Sequence, residues 1–420
     1  MINTFNTNQE LNIQSIKFII QQQGTPIWIY NADTIQSQIQ KLHNFDIIRF
    51  AQKACSNIHI LKIMKKSFVH IDAVSSGEID RALISGFHTK NDEIVFTADV
   101  IDKVTLSKII DLNITTNVGS LDMLQQIGQS SPGHRIWMRI NPGFGNGHSK
   151  KTNTGGENSK HGIWNPELAL PMIKKYKLKL IGLHMHIGSG VDYNHLKKVC
   201  NSMIEQAIKL NQNIKKISAG GGLSIPYKKC DVPVDTNHYF NIWNNTRNVL
   251  SKHFQQPIQI EIEPGRFLVG ESGILVATVY TIKKIGKKIF TLVDAGFNDL
   301  IRPTLYGSYH HISVIPGDNR ILNKNKMIKT IIGGPLCEAG DIFTQNSDGE
   351  LLERLLPEIK IGDYLVFHNT GAYGASMSSH YNSRPLIPEI LFQNGKPYII
   401  RRRQTMQDIL ELETKVKIIQ

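Results

Sequence analysis

Cysteine and long apolar runs are both scarce in this chain of 420 residues. Its four cysteines are widely spaced and form no Cys-x-x-Cys or Cys/His pattern, which argues against structural zinc and against a disulfide framework. They are Cys55, Cys200, Cys230 and Cys337. The longest apolar stretch, residues 274–282, is interrupted by Thr278 and Thr281 and is well short of the ~20 residues that a membrane helix needs. The sequence therefore predicts no membrane span and no metal site.

Acidic residues are also fewer than basic residues. The chain has 48 Lys and Arg and 35 Asp and Glu, which gives a net charge of +13 with neutral His. A basic chain suits either a nucleic-acid binder or an enzyme for anionic ligands. The lysines are spread along the whole chain without an arginine-rich tail or an aromatic-basic motif, so we do not expect nucleic acid as a partner. Residues 1–14 lack the basic and apolar blocks of a secretory signal, and we expect a cytoplasmic protein.

Eight short apolar runs rich in β-branched residues occur between about residues 45 and 265, and each is followed by a segment with helical spacing. This alternation predicts parallel strands joined by crossover helices, and eight such strands close a β/α barrel. The predicted strands are residues 47–51, 69–73, 93–97, 114–117, 136–140, 180–186, 216–219 and 259–263. We therefore expect a TIM-like α/β barrel over residues 31–270.

After about residue 270 strand-like runs dominate and helical spacing becomes rare, which predicts a mostly antiparallel β-sandwich or barrel domain over residues 271–420. Its predicted strands are residues 276–282, 289–293, 328–332, 363–367 and 398–402, with turns at Gly286, residues 316–317 and residues 394–395. Residues 1–30, with a short strand at 26–30, are expected to pack with this β domain.

The carboxyl ends of the predicted barrel strands carry an unusual set of polar residues and glycines, and this is where β/α barrels place their reactive groups. Lys53 follows the first strand, residues 184–190 and 220–222 are rich in glycine, and residues 263–266 read Glu-Pro-Gly-Arg. A partly desolvated lysine can form an imine with an aldehyde, while glycine amides, a serine and an arginine can hold a phosphate dianion. Each feature alone is typical of an ordinary turn or core residue, but together they predict pyridoxal 5′-phosphate as the cofactor.

Six short motifs follow one another along the chain: residues 50–54, 184–190, 220–222, 263–266, 334–338 and 371–373. Their series resembles that of the fold-type III, alanine-racemase-like pyridoxal-phosphate decarboxylases, over about residues 25–405. Within this family the chain most resembles the branch that decarboxylates diaminopimelate, through residues 153–161, 293–311 and 374–385.

The resemblance implies a role for each matching position. Lys53 would anchor the cofactor, His186 would stack on its ring, and Glu263 would face its ring nitrogen. The other implied cofactor-binding residues are Ser189, Gly221, Gly222, Pro264, Gly265, Arg266 and Tyr373. The implied substrate-binding residues are Arg266, Arg302, Tyr306, Glu338 and Tyr373. Cys337 would return a proton to the substrate from a neighbouring subunit, so the expected active unit is a homodimer with shared active sites.

The reaction implied by the resemblance is the conversion of meso-2,6-diaminopimelate to L-lysine and CO2, the last step of lysine biosynthesis. The distal end of this substrate carries a carboxylate and an ammonium, which Arg302 and Glu338 could bind. The alternatives are a decarboxylase of ornithine, arginine or carboxynorspermidine, and a regulatory binding protein without cofactor. Retention of Lys53, Glu263 and Cys337 favours an enzyme.

The loop at residues 143–156 is either a lid over the site or an ordered surface loop.

Overall fold

The structure is a computed structural model that describes residues 11–145, 153–186, 188–190, 192–323 and 325–413. The chain divides into two compact units. The barrel unit consists of Gln36–Ile225 and Val232–Leu268. The β unit consists of the chain up to Ile35, the segment Pro226–Asp231, and the chain from Val269 onward. The central residues 146–152 of the loop considered above as a lid lie outside the described residues.

The described residues form strands and helices in the following order. The strands are β1 Ile27–Asn31, β2 Ile47–Ala51, β3 His70–Ala73, β4 Ile94–Thr97, β5 Thr115–Val118, β6 Arg135–Arg139, β7 Lys179–His184, β8 Lys216–Ser218, β9 Gln259–Ile262, β10 Gly273–Ile285, β11 Lys288–Val293, β12 Ile312–Ile315, β13 Met327–Gly333, β14 Arg354–Pro357, β15 Tyr364–Phe367, β16 Glu389–Gln393 and β17 Lys396–Arg401. The α-helices are α1 Ile13–Gln23, α2 Ala32–Gln40, α3 Ile58–Lys66, α4 Ser76–Ile84, α5 Lys103–Asp111, α6 Leu121–Ser130, α7 Leu170–Lys175, α8 Tyr193–Leu210, α9 Thr236–Phe254, α10 Arg266–Val269, α11 Arg302–Tyr306 and α12 Met406–Leu410.

The strands of the barrel unit, β2 to β9, close into a barrel in sequence order, and all neighbouring pairs are parallel. β4 and β5 are buried along their whole length, because a strand of such a barrel is covered by side chains inside and by helices outside. Such burial favours apolar runs, which made most of the strands recognisable, although β5 is buried with the sequence Thr-Thr-Asn-Val. The predicted eight-stranded barrel is confirmed, with small differences at the strand ends.

Side-chain caps and one left-handed residue mark the ends of α6 and α8 in the barrel unit. Ser120 caps α6 by accepting a hydrogen bond from the Met123 N–H, and Asp192 caps α8 in the same way. α8 ends at Asn211, which adopts a left-handed conformation that asparagine tolerates. The starts of α6 and α8 determine where the loops that follow β5 and β7 end.

The β unit contains a mixed sheet in the order β14-β13-β11-β10-β1-β16-β17, with β15 pairing with both β10 and β12. Its strand pairs are antiparallel except for β1 with β16 and β11 with β13. The predicted, mostly antiparallel domain is confirmed. The sequence pattern does not indicate β12, β14 or β16, because each is short and contains or adjoins a proline, namely Pro316, Pro357 and Pro388.

A buried ion cluster connects three strands of the barrel unit. Arg49 on β2 and Glu261 on β9 are each 1% exposed and form two hydrogen bonds of 2.8 and 3.0 Å. Lys216 on β8 contacts the other oxygen of Glu261 at 2.8 Å. Burial alone would raise the pKa of Glu261, but Arg49 and Lys216 lower it below its usual value. The carboxylate is therefore ionised and compensates two cations in the barrel.

Replacing Glu261 with glutamine should lower the free energy of unfolding by about 3 kcal/mol, because it leaves a buried arginine without its carboxylate. Urea unfolding followed by circular dichroism measures this loss. Glu358→Gln is a matched control that removes the exposed Lys326–Glu358 pair, and it should leave the urea midpoint unchanged. Equal midpoints for the two variants would contradict the stabilising role of Glu261.

Candidate active site

Glu263 follows β9 and is held at both carboxylate oxygens by the two preceding strands. The Nε2–H of His184, at the end of β7, donates to Oε2 at 2.9 Å, and the hydroxyl of Ser218, at the end of β8, donates to Oε1 at 2.7 Å. Burial alone would raise the pKa of Glu263, but His184 and these hydrogen bonds lower it to about 2. Glu263 is therefore a fixed anion at the carboxyl end of the barrel, suited to pairing with a protonated ring nitrogen.

His186 stands two residues beyond His184 and has a different environment. Its Nδ1 accepts a hydrogen bond from the Gly221 N–H at 3.2 Å, so the ring proton is on Nε2. Burial, followed by the charges of Arg139 and Lys53, lowers the pKa of His186 well below its usual value. The imidazole is therefore neutral, and a neutral ring can stack on an aromatic ligand without a charge penalty.

The glycine-rich loops after β7 and β8 approach one another so closely that side chains are excluded. A Cβ at Gly221 would lie 2.5 Å from the carbonyl oxygen of Glu263, and a Cβ at Gly222 would lie 2.3 Å from that of Gly188. The Gly190 N–H donates to the Gly222 carbonyl at 2.9 Å. Gly188, Gly190, Gly221 and Gly222 also border a cavity. Glycine amides beside a cavity are the kind of cradle that holds a phosphate group.

Lys53 lies in the 3-10 turn Gln52–Ala54 that directly follows β2, and it is exposed between two buried neighbours. The strand register places Asp72 of β3 beside Ala51 at the end of β2. Burial and the Glu263 carboxylate raise the pKa of Asp72 to about 6, while the charge of Lys53 opposes this shift. The lysine amine therefore has a carboxyl group in its surroundings that changes protonation close to neutral pH.

Glu78 on α4 is a second such group. Burial raises the pKa of Glu78 to about 7, although its Oε2 accepts a hydrogen bond from the Val74 N–H at 2.8 Å. Lys53 again acts in the opposite direction. The sequence pattern places Asp72 within the second barrel strand and Glu78 after it but gives neither a role, because their burial and their interaction with Lys53 arise only in the folded barrel.

In the β unit, Cys337 and Glu338 lie on the loop that follows β13. The Cys337 residue is exposed, and its N–H donates to Oδ1 of Asn382 at 2.9 Å. The hydroxyl of Tyr381 donates to Oε2 of Glu338 at 3.3 Å. Both members of the predicted Cys-Glu pair thus contact one turn, which is 43–45 residues away in sequence.

Arg302 begins α11 and is 5% exposed. Its guanidinium carbon lies 5.7 Å from the ring centre of Tyr227 and 6.0 Å from that of Tyr373, and Nη2 donates to the Ser308 hydroxyl at 3.1 Å. Aromatic rings and a hydroxyl hold the planar group in one orientation, as required for recognition of a carboxylate through two bonds. Tyr227 belongs to the segment Pro226–Asp231, and no local pattern indicates that this segment joins the β unit.

The predicted site residues thus form two groups, one in each unit. The barrel unit contains Lys53, His186, Ser189, Gly221, Gly222, Glu263, Pro264, Gly265 and Arg266. The β unit contains Arg302, Tyr306, Cys337, Glu338 and Tyr373. Two further members of the barrel group, His184 and Ser218, hold Glu263. Their positions at the ends of neighbouring predicted strands are a sequence signal that could have identified them.

The residues of the barrel group fit pyridoxal phosphate. They include an amine, a fixed carboxylate, a neutral imidazole and a glycine cradle that any side chain would obstruct. Within the described part of the chain, three or more His, Cys, Asp or Glu side chains do not come together as a metal site. Among the helices of that same part, none is both long and apolar enough to cross a membrane.

Comparisons with known proteins find a family model and named relatives that are similar to this chain. A family model described as "Pyridoxal-dependent decarboxylase, pyridoxal binding domain" matches residues 32–270. The diaminopimelate decarboxylase of Buchnera aphidicola subsp. Schizaphis graminum is 61% identical, with 97% of this chain and 98% of that protein aligned. The enzyme of the same name from Escherichia coli K12 is 55% identical over 97% of this chain and 98% of its own length.

Two solved structures are also similar to this chain over nearly its whole length. A crystal structure of a diaminopimelate decarboxylase has a TM-score of 0.95 and 55% sequence identity, with 98% of both chains covered. The diaminopimelate decarboxylase of Helicobacter pylori, crystallised with L-lysine, has a TM-score of 0.82 and 31% identity, and the match covers 95% of this chain and 99% of that one.

Proposed function

This chain belongs to the diaminopimelate decarboxylase family of pyridoxal-dependent enzymes, and on that premise we propose how its residues convert meso-2,6-diaminopimelate to L-lysine and CO2. The observation that carries the proposal is the Glu263 carboxylate, which His184 and Ser218 hold ionised at the end of the barrel. A fixed anion there would keep the ring nitrogen of the cofactor protonated. When bound, pyridoxal phosphate supplies the electron sink for the carbon that loses CO2.

The residues that would hold the cofactor are those of the barrel group, with Tyr373. Lys53 would bind the aldehyde carbon, and the neutral His186 ring would lie against the ring face. The phosphate would be held by Ser189, Gly221, Gly222, Arg266 and Tyr373, with Pro264 and Gly265 shaping the loop between Glu263 and Arg266. Asp72 and Glu78 would hold a proton near Lys53 whenever its amine is released, since burial raises the pKa of both carboxyls toward neutrality.

The β-unit residues would recognise the substrate and complete the reaction. Arg302, fixed by two aromatic rings, would bind the distal carboxylate, with Arg266, Tyr306 and Tyr373 as further contacts. Glu338 would bind the distal ammonium, and Cys337 would donate a proton to the carbon that has lost CO2. The meso substrate has one D and one L centre, and the product is L-lysine. The carboxyl group that leaves is therefore the one at the D centre.

We also propose that the active unit is a homodimer in which Cys337 and Glu338 act in the site of the partner subunit. The exposure of Cys337 supports this arrangement, because a proton donor must reach a substrate. The widely spaced cysteines support a reducing, cytoplasmic location.

A product assay tests the function directly. The purified protein with pyridoxal phosphate should release CO2 and L-lysine from meso-diaminopimelate, and should act far more slowly on L-ornithine, L-arginine or L-lysine. Faster release of CO2 from L-ornithine or L-arginine would favour the alternative decarboxylases. Failure to bind the cofactor would favour a regulatory binding protein.

Arg302→Lys should raise the KM for meso-diaminopimelate by about tenfold to a hundredfold with a smaller change in kcat, because the charge is kept while the planar fork is lost. Inhibition constants separate recognition from structure. L-lysine has the distal carboxylate that Arg302 would bind, whereas D-lysine lacks it. The variant should therefore weaken inhibition by L-lysine and leave inhibition by D-lysine unchanged. Equal weakening of both would show that Arg302 is only a structural residue.

A further inference from the structure

The loop that carries Cys337 is held at its base by one buried carboxylate. Asp341 is 4% exposed and accepts hydrogen bonds from the Leu336 N–H at 2.7 Å and from the Phe297 N–H at 2.8 Å. The Gly334 N–H donates to the Asp341 carbonyl at 2.9 Å, which closes the loop. These contacts fix both ends of the loop, but they do not reach Cys337, which lies near its tip.

The tip of the loop is held by a different segment. The Cys337 N–H donates to Oδ1 of Asn382, and the neighbouring Glu338 accepts from the Tyr381 hydroxyl. The Tyr381 ring also packs against Phe297, with ring centres 5.2 Å apart. Residues 381 and 382 thus contact the Glu338 side chain and the Cys337 backbone at the tip.

The segment that carries these two residues is itself fixed. The Ser379 N–H donates to the Asn298 carbonyl at 2.8 Å, and Nη2 of Arg384 donates to the Asp294 carbonyl at 2.8 Å. Asn382 has φ 55° and ψ 31°, a left-handed conformation that asparagine, aspartate and glycine adopt more readily than other residues. In this conformation the carboxamide oxygen accepts the hydrogen bond from the Cys337 N–H.

We propose that Asn382 is a positioning residue that sets the direction of the Cys337 thiol by holding its backbone N–H. This inference rests on the proton-donor role given to Cys337 above. Asn382 acts only through this hydrogen bond and does not itself exchange a proton. Loss of the bond frees the Cys337 N–H while the contacts of Asp341 and Tyr381 with the loop remain, so the effect should fall on proton delivery and not on folding.

Two substitutions at this position separate the carboxamide oxygen from the backbone conformation. Asn382→Gly keeps the left-handed backbone available and removes the acceptor, whereas Asn382→Asp keeps an acceptor oxygen. Asn382→Gly should lower kcat about five- to tenfold with less than a twofold change in KM, as expected for loss of one hydrogen bond. Asn382→Asp should retain most of kcat. Asn394→Gly is the matched control, because Asn394 is also exposed and left-handed (φ 51°) but lies in the β16–β17 turn.

Thiol alkylation gives a readout that does not depend on substrate turnover. It is measured with iodoacetamide on the cofactor-loaded enzyme in a Cys230→Ser background, which removes the other exposed cysteine. Asn382→Gly should change the alkylation rate of Cys337 by threefold or more. Asn382→Asp should move the midpoint of the rate's pH profile upward, because a nearby carboxylate disfavours the thiolate.

The outcomes distinguish this inference from the proposed function. Normal kcat and normal alkylation for Asn382→Gly, equal to those of Asn394→Gly, would overturn the positioning role. An altered alkylation rate in a protein that releases no CO2 from diaminopimelate would leave the positioning role intact and contradict the proposed function. Reduced kcat in Asn382→Asp equal to that of Asn382→Gly, with no shift of the alkylation profile, would also overturn it.

Discussion

Replacing Lys53 with alanine should lower turnover by several orders of magnitude while leaving the fold intact. The side chain is exposed at the end of β2 and is not part of the barrel core, so its removal leaves no buried cavity. Its amine is the group that would bind the aldehyde carbon of the cofactor. Steady-state release of lysine measures the loss.

A second readout separates loss of the covalent anchor from a general loss of the cofactor. Borohydride treatment should fix the cofactor on the Lys53 peptide of the unmodified enzyme, as seen by mass spectrometry, and should leave the Lys53→Ala chain unlabelled. Lys62→Ala is the matched control, because Lys62 is exposed on the next helix, α3. Near-normal turnover of Lys53→Ala, or a label on another lysine, would show that the anchor lies elsewhere.

The barrel could be predicted from sequence because its strands are buried on both faces. Such strands are rich in apolar residues, and in this chain the run 94–97, Ile-Val-Phe-Thr, stands out from the helices around it. The β unit was harder to predict, since its sheet includes short strands beside prolines. β1 also shows the limit of local patterns, because its partners β10 and β16 are far away in sequence.

The sequence proposes site residues where one residue would carry the chemistry and misses those where a neighbour only holds such a residue. Lys53, His186 and Glu263 stand at strand ends and belong to motifs, so sequence alone indicates them. Ser218 holds Glu263 across 45 residues of sequence, and Asn382 holds the Cys337 N–H across the same distance. The strand-end position of Ser218 is a sequence signal for its contact, whereas the contact of Asn382 depends on loop packing, which leaves no local signal.

Mixing two inactive chains should restore activity if the two groups of site residues come from different subunits. Lys53 belongs to the barrel unit and Cys337 to the β unit. In a dimer of Lys53→Ala with Cys337→Ala, one site would combine an intact lysine with an intact cysteine, and the other would carry both lesions. Random exchange makes about half of the dimers mixed, so activity should recover to about a quarter of the unmodified enzyme.

Control mixtures show whether Cys337 acts in the site of its own subunit or in that of the partner subunit. Lys53→Ala mixed with Glu263→Gln should not recover, because both residues belong to the barrel unit and every mixed dimer would keep one lesion in each site. Subunit exchange is verified by native mass spectrometry of the mixture. An active Cys337→Ala homodimer would show that Cys337 is not the proton donor. If that homodimer is inactive and the verified mixed dimer also shows no recovery, Cys337 must act within its own chain, because only then does each site of the mixed dimer lack one essential residue.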